Sequence, residues 1–320
     1  IRDRLRTVGD EELVELRKAR WGVEPRLAHA PGYNRVQGFS LYLGGRLSRP
    51  GPHRPRLDAR GGYGFSNERW LFDASFDLPL VVDRGARASD RGGPGEGADS
   101  RRRRLGVTIT GTKQAALFAG DDRRHERSLT SFLYGSDPNQ YFEHRGVGTQ
   151  LDGRIGNDWV LRAGGGWYEQ RRLEQRTTWN LFGQDLSPVG NLAADALNER
   201  RLWGGLAWSR GGLSLDGTAA WRRVTQAAFL GAGPDARDGE FLQLEAGGMV
   251  DLYDGLGNRW VLKGRVRDLG RDGEAAGPIQ WKTWLGDHGT LRGHNAAELT
   301  GDGGAWASLD FRPNWDLFRA

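Results

Sequence analysis

Leu57-Asp58-Ala59-Arg60-Gly61-Gly62-Tyr63-Gly64-Phe65, the triplet Ser66-Asn67-Glu68, and then Arg69-Trp70-Leu71-Phe72-Asp73-Ala74-Ser75-Phe76-Asp77-Leu78 carry the period that decides the fold. Successive side chains of an extended chain point to opposite faces. Leu57, Ala59, Tyr63 and Phe65 therefore share one face, and Asp58, Arg60 and two glycines take the other. Beyond the turn, Trp70, Phe72, Ala74, Phe76 and Leu78 share a side, while Leu71, Asp73, Ser75 and Asp77 face the opposite way. A small or charged residue at nearly every second position gives a strand one apolar face and one wet face. A wall with lipid outside and a watery lumen inside requires that pattern. Trp70 and Tyr63, near strand ends, suit an interfacial aromatic girdle.

The alternation recurs along the chain. Phe39, Leu41 and Leu43 share a face, and residues 105–116, 146–156, 158–169, 201–209, 212–224, 240–253 and 259–268 alternate in the same way. Several links between them are turn chemistry: Gly156-Asn157-Asp158, Arg210-Gly211-Gly212 and Asp254-Gly255-Leu256-Gly257-Asn258. Others are long and polar: 81–104, 170–200, 225–239 and 269–280. Alternating short and long links is the plan of an outer-membrane barrel, with short periplasmic turns and long external loops. No fixed repeat of about 40–50 residues is present, which argues against a soluble propeller. One stretch breaks the plan. Residues 128–143, with Ser128-Leu129-Thr130-Ser131-Phe132-Leu133 and Asn139-Gln140-Tyr141-Phe142, read as short helical turns. They place two long links in succession, so either a strand is missed there or a helix sits at a barrel mouth. A second short helix is expected over 9–20, with Asp10 as cap, Glu11 and Glu12 at its positive end, and Arg17, Lys18 and Arg20 at its negative end. Residues 1–30 are thus expected to be a linker, and 31–320 the barrel.

Composition agrees with a membrane strand protein. The 320 residues include 50 Gly, 13 Trp and no Cys. Mean hydropathy is negative, and no apolar run is long enough for a membrane helix. A membrane strand needs only about 9–11 residues, apolar on one face. With no Cys, the fold depends on neither disulfides nor thiolates. The net charge is +5, and most of the basic residues are Arg. This fits either an Arg-rich proteome or a lumen or rim that attracts anions such as lipid phosphates. Ile1 is followed by Arg2-Asp3-Arg4 with no apolar leader. The chain is therefore expected to begin inside a longer protein or after a removed signal. It ends at Leu317-Phe318-Arg319-Ala320 without the closing aromatic of a last barrel strand, so the barrel is expected to be incomplete.

Tyr33-Asn34-Arg35-Val36-Gln37-Gly38-Phe39-Ser40-Leu41, followed by Gly61-Gly62-Tyr63-Gly64-Phe65, resembles the opening barrel strands of bacterial surface-antigen proteins, the superfamily of BamA, TamA and the two-partner secretion transporters. Asp137-Pro138-Asn139-Gln140-Tyr141-Phe142-Glu143-His144-Arg145-Gly146 is similar to an Asp-x-x-x-Tyr-Tyr-x-x-x-Gly segment of some members. Gly289-Thr290-Leu291-Arg292-Gly293-His294 resembles the signature loop, in which an Arg-Gly pair folds into the lumen. Ala305-Trp306-Ala307-Ser308-Leu309-Asp310-Phe311-Arg312 resembles the strand after it. The resemblance covers roughly residues 30–320. In the family that loop follows about eleven of sixteen strands, which implies that the last strands are missing here. It implies an antiparallel transmembrane β-barrel of the bacterial outer membrane. Its role would be insertion, translocation or anchoring of a polypeptide or lipid, with no enzyme chemistry and no cofactor. Two departures stand out. His294 replaces the aromatic usual after Arg-Gly, and the acidic partner of the loop arginine normally lies on a later strand. Residues 1–30 also lack the periplasmic repeats on which membrane-protein assembly and secretion depend.

Within that frame Arg292 reads as a latch, its guanidinium bonding a carboxylate or carbonyls in the lumen, with Gly293 permitting the adjacent turn. The bland alternative is one loop arginine among many. Arg101, Arg102, Arg103 and Arg104 read either as a contact for lipopolysaccharide phosphates or as a solvated loop. The six histidines form no close ligand pair, and there is no nucleophile elbow or phosphate loop. The aromatics follow strand faces rather than clustering with the charges, which argues against nucleic acid. The rival functions are a porin-like channel for small, anionic solutes and an outer-membrane phospholipase or protease.

Overall fold

The computed structural model describes residues 22–26, 32–34, 36–48, 54–82, 103–117, 132–133, 141–174, 180–183, 194–226, 238–271, 278–285 and 299–314. The strands are β1 (Gly22–Arg26), β2 (Gly32–Asn34), β3 (Gly38–Ser48), β4 (Arg56–Gly64), β5 (Arg69–Val82), β6 (Arg103–Leu117), β7 (Tyr141–Ile155), β8 (Trp159–Arg172), β9 (Leu197–Arg210), β10 (Leu213–Gln226), β11 (Gly239–Tyr253), β12 (Arg259–Arg271), β13 (Thr283–Leu285), β14 (Leu299–Gly301) and β15 (Gly303–Arg312). Strands β3 to β12 lie side by side in chain order, and β15 pairs with β12. β1 and β2 both pair with the free edge of β3. β13 and β14 form a separate ribbon. Every pairing is antiparallel. Among the described residues the edge made by β1 and β2 does not pair with β15, so the sheet is an open wall.

The wall begins earlier than the alternation suggests. β1 lies within the stretch 1–30 read above as a linker, yet it pairs with β3 from Gly22↔Ser48 to Arg26↔Gly44. Its Pro25 is tolerated because an edge strand need not donate on both sides. The helix expected over 9–20 falls outside the described residues. The helical reading of 128–143 needs correction at its end. Phe132 and Leu133 have helical backbone, but Tyr141-Phe142-Glu143 opens β7 and pairs with Leu117, Ala116 and Ala115 of β6. Two adjacent aromatics at a strand start hide the period of two. Tyr141 packs with Val36, Ala115 and Leu173, whereas Phe142 packs with Ala194.

β6 pairs directly with β7 from Leu105↔Gly153 to Leu117↔Tyr141, so no strand intervenes. The order of the strands then fixes the two ends. Link 83–102 lies at the end of the tight turns 156–158, 211–212 and 254–258. Links 118–140, 173–196, 227–238 and 272–302 lie at the other end. The tight turns are built by local chemistry. Gly211 and Gly212 sit at φ +58° and +85°, the left-handed pair that a two-residue hairpin turn requires. In the 254–258 turn, the Asn258 side-chain amide donates to the Asp254 carboxylate at 2.9 Å and holds its pKa below the ordinary value.

The two faces differ as the alternation demands. One carries Leu41, Phe72, Ile109, Leu151, Leu161, Leu206, Leu244, Leu262 and Leu309, all exposed. β8 shows the pattern end to end on this face: Trp159, Leu161, Ala163, Gly165 and Trp167. The other face carries cross-strand ion pairs: Arg46–Asp58 at 2.7 Å, Arg56–Asp77 at 2.8 Å and Arg60–Asp73 at 2.9 Å, each between residues directly opposite in register. Farther round, Arg265 bridges Asp216 at 3.2 Å and Glu245 at 2.6 Å.

The polar face is concave. The turn Ile279–Trp281 touches side chains of β8, β10, β11 and β12. On a flat sheet those strands would spread over roughly 19 Å, which a three-residue 3₁₀ turn spanning about 6 Å does not bridge. The wall therefore curves around the polar side, as a barrel does.

Candidate functional site

The site is built where the long link 272–302 folds back onto the concave face. The buried apolar side chains concentrate at this end. Leu197 opens β9, Val224 lies near the end of β10, Phe241 near the start of β11 and Leu269 near the end of β12. Together they receive Trp281. The Phe241 ring meets Trp281 edge-on at 5.7 Å, and the Arg222 guanidinium lies over the indole at 4.5 Å. Such a cation–π contact gains strength where water is excluded.

A polar chain runs beside this apolar seat. Arg222 of β10 donates to Glu199 of β9 at 2.9 Å, and Gln170 of β8 donates to the same carboxylate at 2.7 Å. Gln280 of the link donates to Gln170 at 2.9 Å and to the Asp195 carbonyl at 3.0 Å. The Asp195 N–H donates to the Gln280 side-chain oxygen at 3.1 Å, and the Asp195 carboxylate accepts the Ile279 N–H at 2.8 Å. Arg267 of β12 donates to the Trp281 carbonyl at 3.1 Å. Glu199 is 1 % exposed and Arg222 11 %. A buried pair of this kind holds only when its remaining donors and acceptors are met. The Gln170 bond helps meet those of Glu199. Two long links, 173–196 and 272–302, are thereby bonded to each other and to β8, β9, β10 and β12.

Close by, Tyr168 lies along the concave face. A Cβ on Gly166 would come within 2.6 Å of its hydroxyl, and one on Gly146 within 2.7 Å of its ring. Glycines at those positions make the seat for the ring. His144 stacks on Tyr168 at 4.8 Å, and Arg201 covers it at 4.8 Å.

The residues singled out from sequence fare differently. Arg292 and Gly293 lie outside the described residues. The ribbon that brackets them is described: β13 pairs with β14 from Thr283↔Gly301 to Leu285↔Leu299, and the Leu269 N–H donates to the Asp302 carbonyl at 2.9 Å. In sequence the Arg-Gly segment thus falls between the two strands of a ribbon that begins at Thr283, two residues after the anchored Trp281. Arg101 and Arg102 lie outside the described residues, while Arg103 and Arg104 open β6. Strand order puts them at the tight-turn end, away from the anchored link. Sequence reading did not single out Gln170, Asp195, Glu199, Arg222, Gln280 or Trp281. The available signal was Ile279-Gln280-Trp281, an apolar-polar-apolar triplet inside a polar link, together with Glu199 and Arg222 on lumen-facing positions.

No family model and no curated protein sequence matches the chain. Among solved structures it is similar to BamA from Haemophilus ducreyi lacking POTRA domains 1–3, at 12 % identity with a TM-score of 0.52. The match covers 92 % of this chain and 53 % of that one, so this chain spans about half the length of its structural relative. At that identity the likeness concerns the fold. The chain has the fold of a BamA-like antiparallel β-barrel, in the form of an open wall.

Proposed function

We propose that this chain is the wall of a bacterial outer-membrane β-barrel of the surface-antigen type, working in insertion, translocation or anchoring of a polypeptide or lipid. The observation that carries the reading is the link 272–302. It is bonded to the concave face through Gln280 and Trp281, and its ribbon flanks the Arg292-Gly293 segment in sequence. The exposed apolar face supports burial in lipid, because a soluble protein rarely leaves so continuous an apolar surface in water. On the outer-membrane plan the tight-turn end faces the periplasm. On that plan the start of β6, at Arg103, stands at the periplasmic end.

Electrical recording of the chain reconstituted in planar bilayers tests this. A lumen occupied by the link predicts small, flickering conductance, which Arg292→Ala raises. A large, steady conductance unchanged by Arg292→Ala would favour the porin-like reading instead.

A further inference from the structure

The apolar face has a charged exception at the long-link end. Lys113 of β6 stands directly opposite Arg145 of β7, and Arg200 of β9 directly opposite Arg223 of β10. All four alternate with lumen-facing neighbours and so project outward. Like charges directly opposed across a strand pair are destabilising. Their compensation is partial. Arg145 donates to Glu169 at 2.6 Å, but Glu169 also pairs with Arg171. Arg223 lies 4.0 Å from Glu240, with both side chains about half exposed. Among the described residues Lys113 and Arg200 have no acidic partner. These four cations, with Phe72, Trp167 and the carboxylate of Glu169 already engaged by Arg145 and Arg171, line a groove of about 780 Å³ on the outer wall.

Directly below, toward the middle of the strands, the same face turns apolar. Ile109, Leu202 and Leu242 are exposed there, with Trp221 beside Leu202 in register. We infer that this groove binds the phosphorylated headgroup of a lipid A-type lipid, whose acyl chains lie along the apolar rows beneath. The inference rests on the membrane reading proposed above. Two like-charged pairs, separated on β8 by Trp167 opposite Arg200 and Glu169 opposite Arg145, suit a ligand with two phosphates. Each phosphate takes charge-assisted bonds from a pair that otherwise repels, and guanidinium groups can do so with two parallel N–H donors. The strand order places the groove at the end of links 118–140, 173–196 and 227–238, which on the outer-membrane plan faces outward. That is the leaflet in which such a lipid lies.

The test uses the full chain in phosphatidylcholine nanodiscs, with binding of diphosphorylated lipid A measured against dephosphorylated lipid A and inorganic phosphate. The expected result is preferential binding of the diphosphorylated lipid. Arg200→Gln with Arg223→Gln weakens it at least about tenfold, since two charge-assisted contacts are lost. Glu240→Gln, which removes the competing carboxylate from Arg223, strengthens it. Arg210→Gln, on the same face at the opposite end of β9, leaves it unchanged. Equal binding of the dephosphorylated lipid, or full competition by inorganic phosphate at matched concentration, overturns the lipid site. So does unchanged binding by the double variant when it keeps the heat-modifiable gel mobility of a folded barrel. A parent chain that shows no such mobility shift overturns the membrane reading, and this site with it.

Discussion

Glu199→Ala is expected to destabilise the folded wall by about 3–5 kcal/mol, the range for removing one member of a buried ion pair. The cause is what remains behind. Arg222 is nearly buried, and Glu199 is its carboxylate partner at 2.9 Å. Without it the guanidinium keeps its charge and its stacking on Trp281 and, among the described residues, has no counter-ion in contact. Gln170 also loses the acceptor it holds at 2.7 Å. Urea unfolding in detergent, followed by the heat-modifiable mobility shift, measures the loss. The double replacement Glu199→Leu with Arg222→Met should cost much less, because both charges leave together and apolar side chains fill the space. If the pair behaved as a surface contact, Glu199→Ala would change stability by less than about 1 kcal/mol. That outcome would remove the buried network from this account.

Trp281→Ala should release the link while leaving the wall standing. The indole fills the seat made by Leu197, Val224, Phe241 and Leu269, so its removal forfeits roughly 3–5 kcal/mol of packing. Those four residues are held in place by their own strand pairings, whereas the turn Ile279–Trp281 joins no strand ladder and is attached by the Trp281 and Gln280 side chains and by single bonds to Asp195 and Arg267. The loss should therefore appear as local opening rather than global unfolding. Limited trypsin digestion reads this. In the variant, cleavage within 272–302 becomes faster by an order of magnitude or more, and the heat-modifiable mobility of the barrel is retained. Trp281→Phe keeps an aromatic ring in the seat and should stay close to the parent. Equal protection of the link in Trp281→Ala would mean that the Gln280 and Asp195 bonds suffice, and that the indole is incidental.

The wall was legible in the sequence because its period is two and its partners are sequential. Trp70, Phe72, Phe76 and Leu78 against Asp73, Ser75 and Asp77 need no tertiary information to be sorted into faces. Gly211-Gly212 announces its turn equally plainly. The misreadings have physical causes. β1 carries Pro25 and only five residues, too few to show alternation, and it belongs to the sheet because β3 offers a free edge. Tyr141-Phe142 looks helical because both neighbours are apolar. Each is buried for its own reason, one against Val36 and Leu173, the other against Ala194. The lumen network was not legible, because Gln170, Glu199, Arg222 and Gln280 lie on four segments far apart in sequence. Only the curvature of the wall brings them together. The basic groove stayed hidden for the same reason: Lys113, Arg145, Arg200 and Arg223 are scattered singly along four strands and meet through register alone.

The most direct measurement is residue-by-residue accessibility along β11. The chain has no cysteine, so each introduced thiol is the sole attachment point for a nitroxide label. Labels would be placed at positions 242 to 250 of the chain reconstituted in bilayers. A lipid-facing wall around a wet lumen gives a two-residue alternation. Leu242, Leu244, Ala246 and Val250 positions should be relaxed by oxygen dissolved in lipid, and Gln243, Glu245 and Met249 positions by a water-soluble nickel chelate. Uniform access of the chelate to both sets, or access to oxygen without alternation, would contradict a lipid-facing wall around a wet lumen.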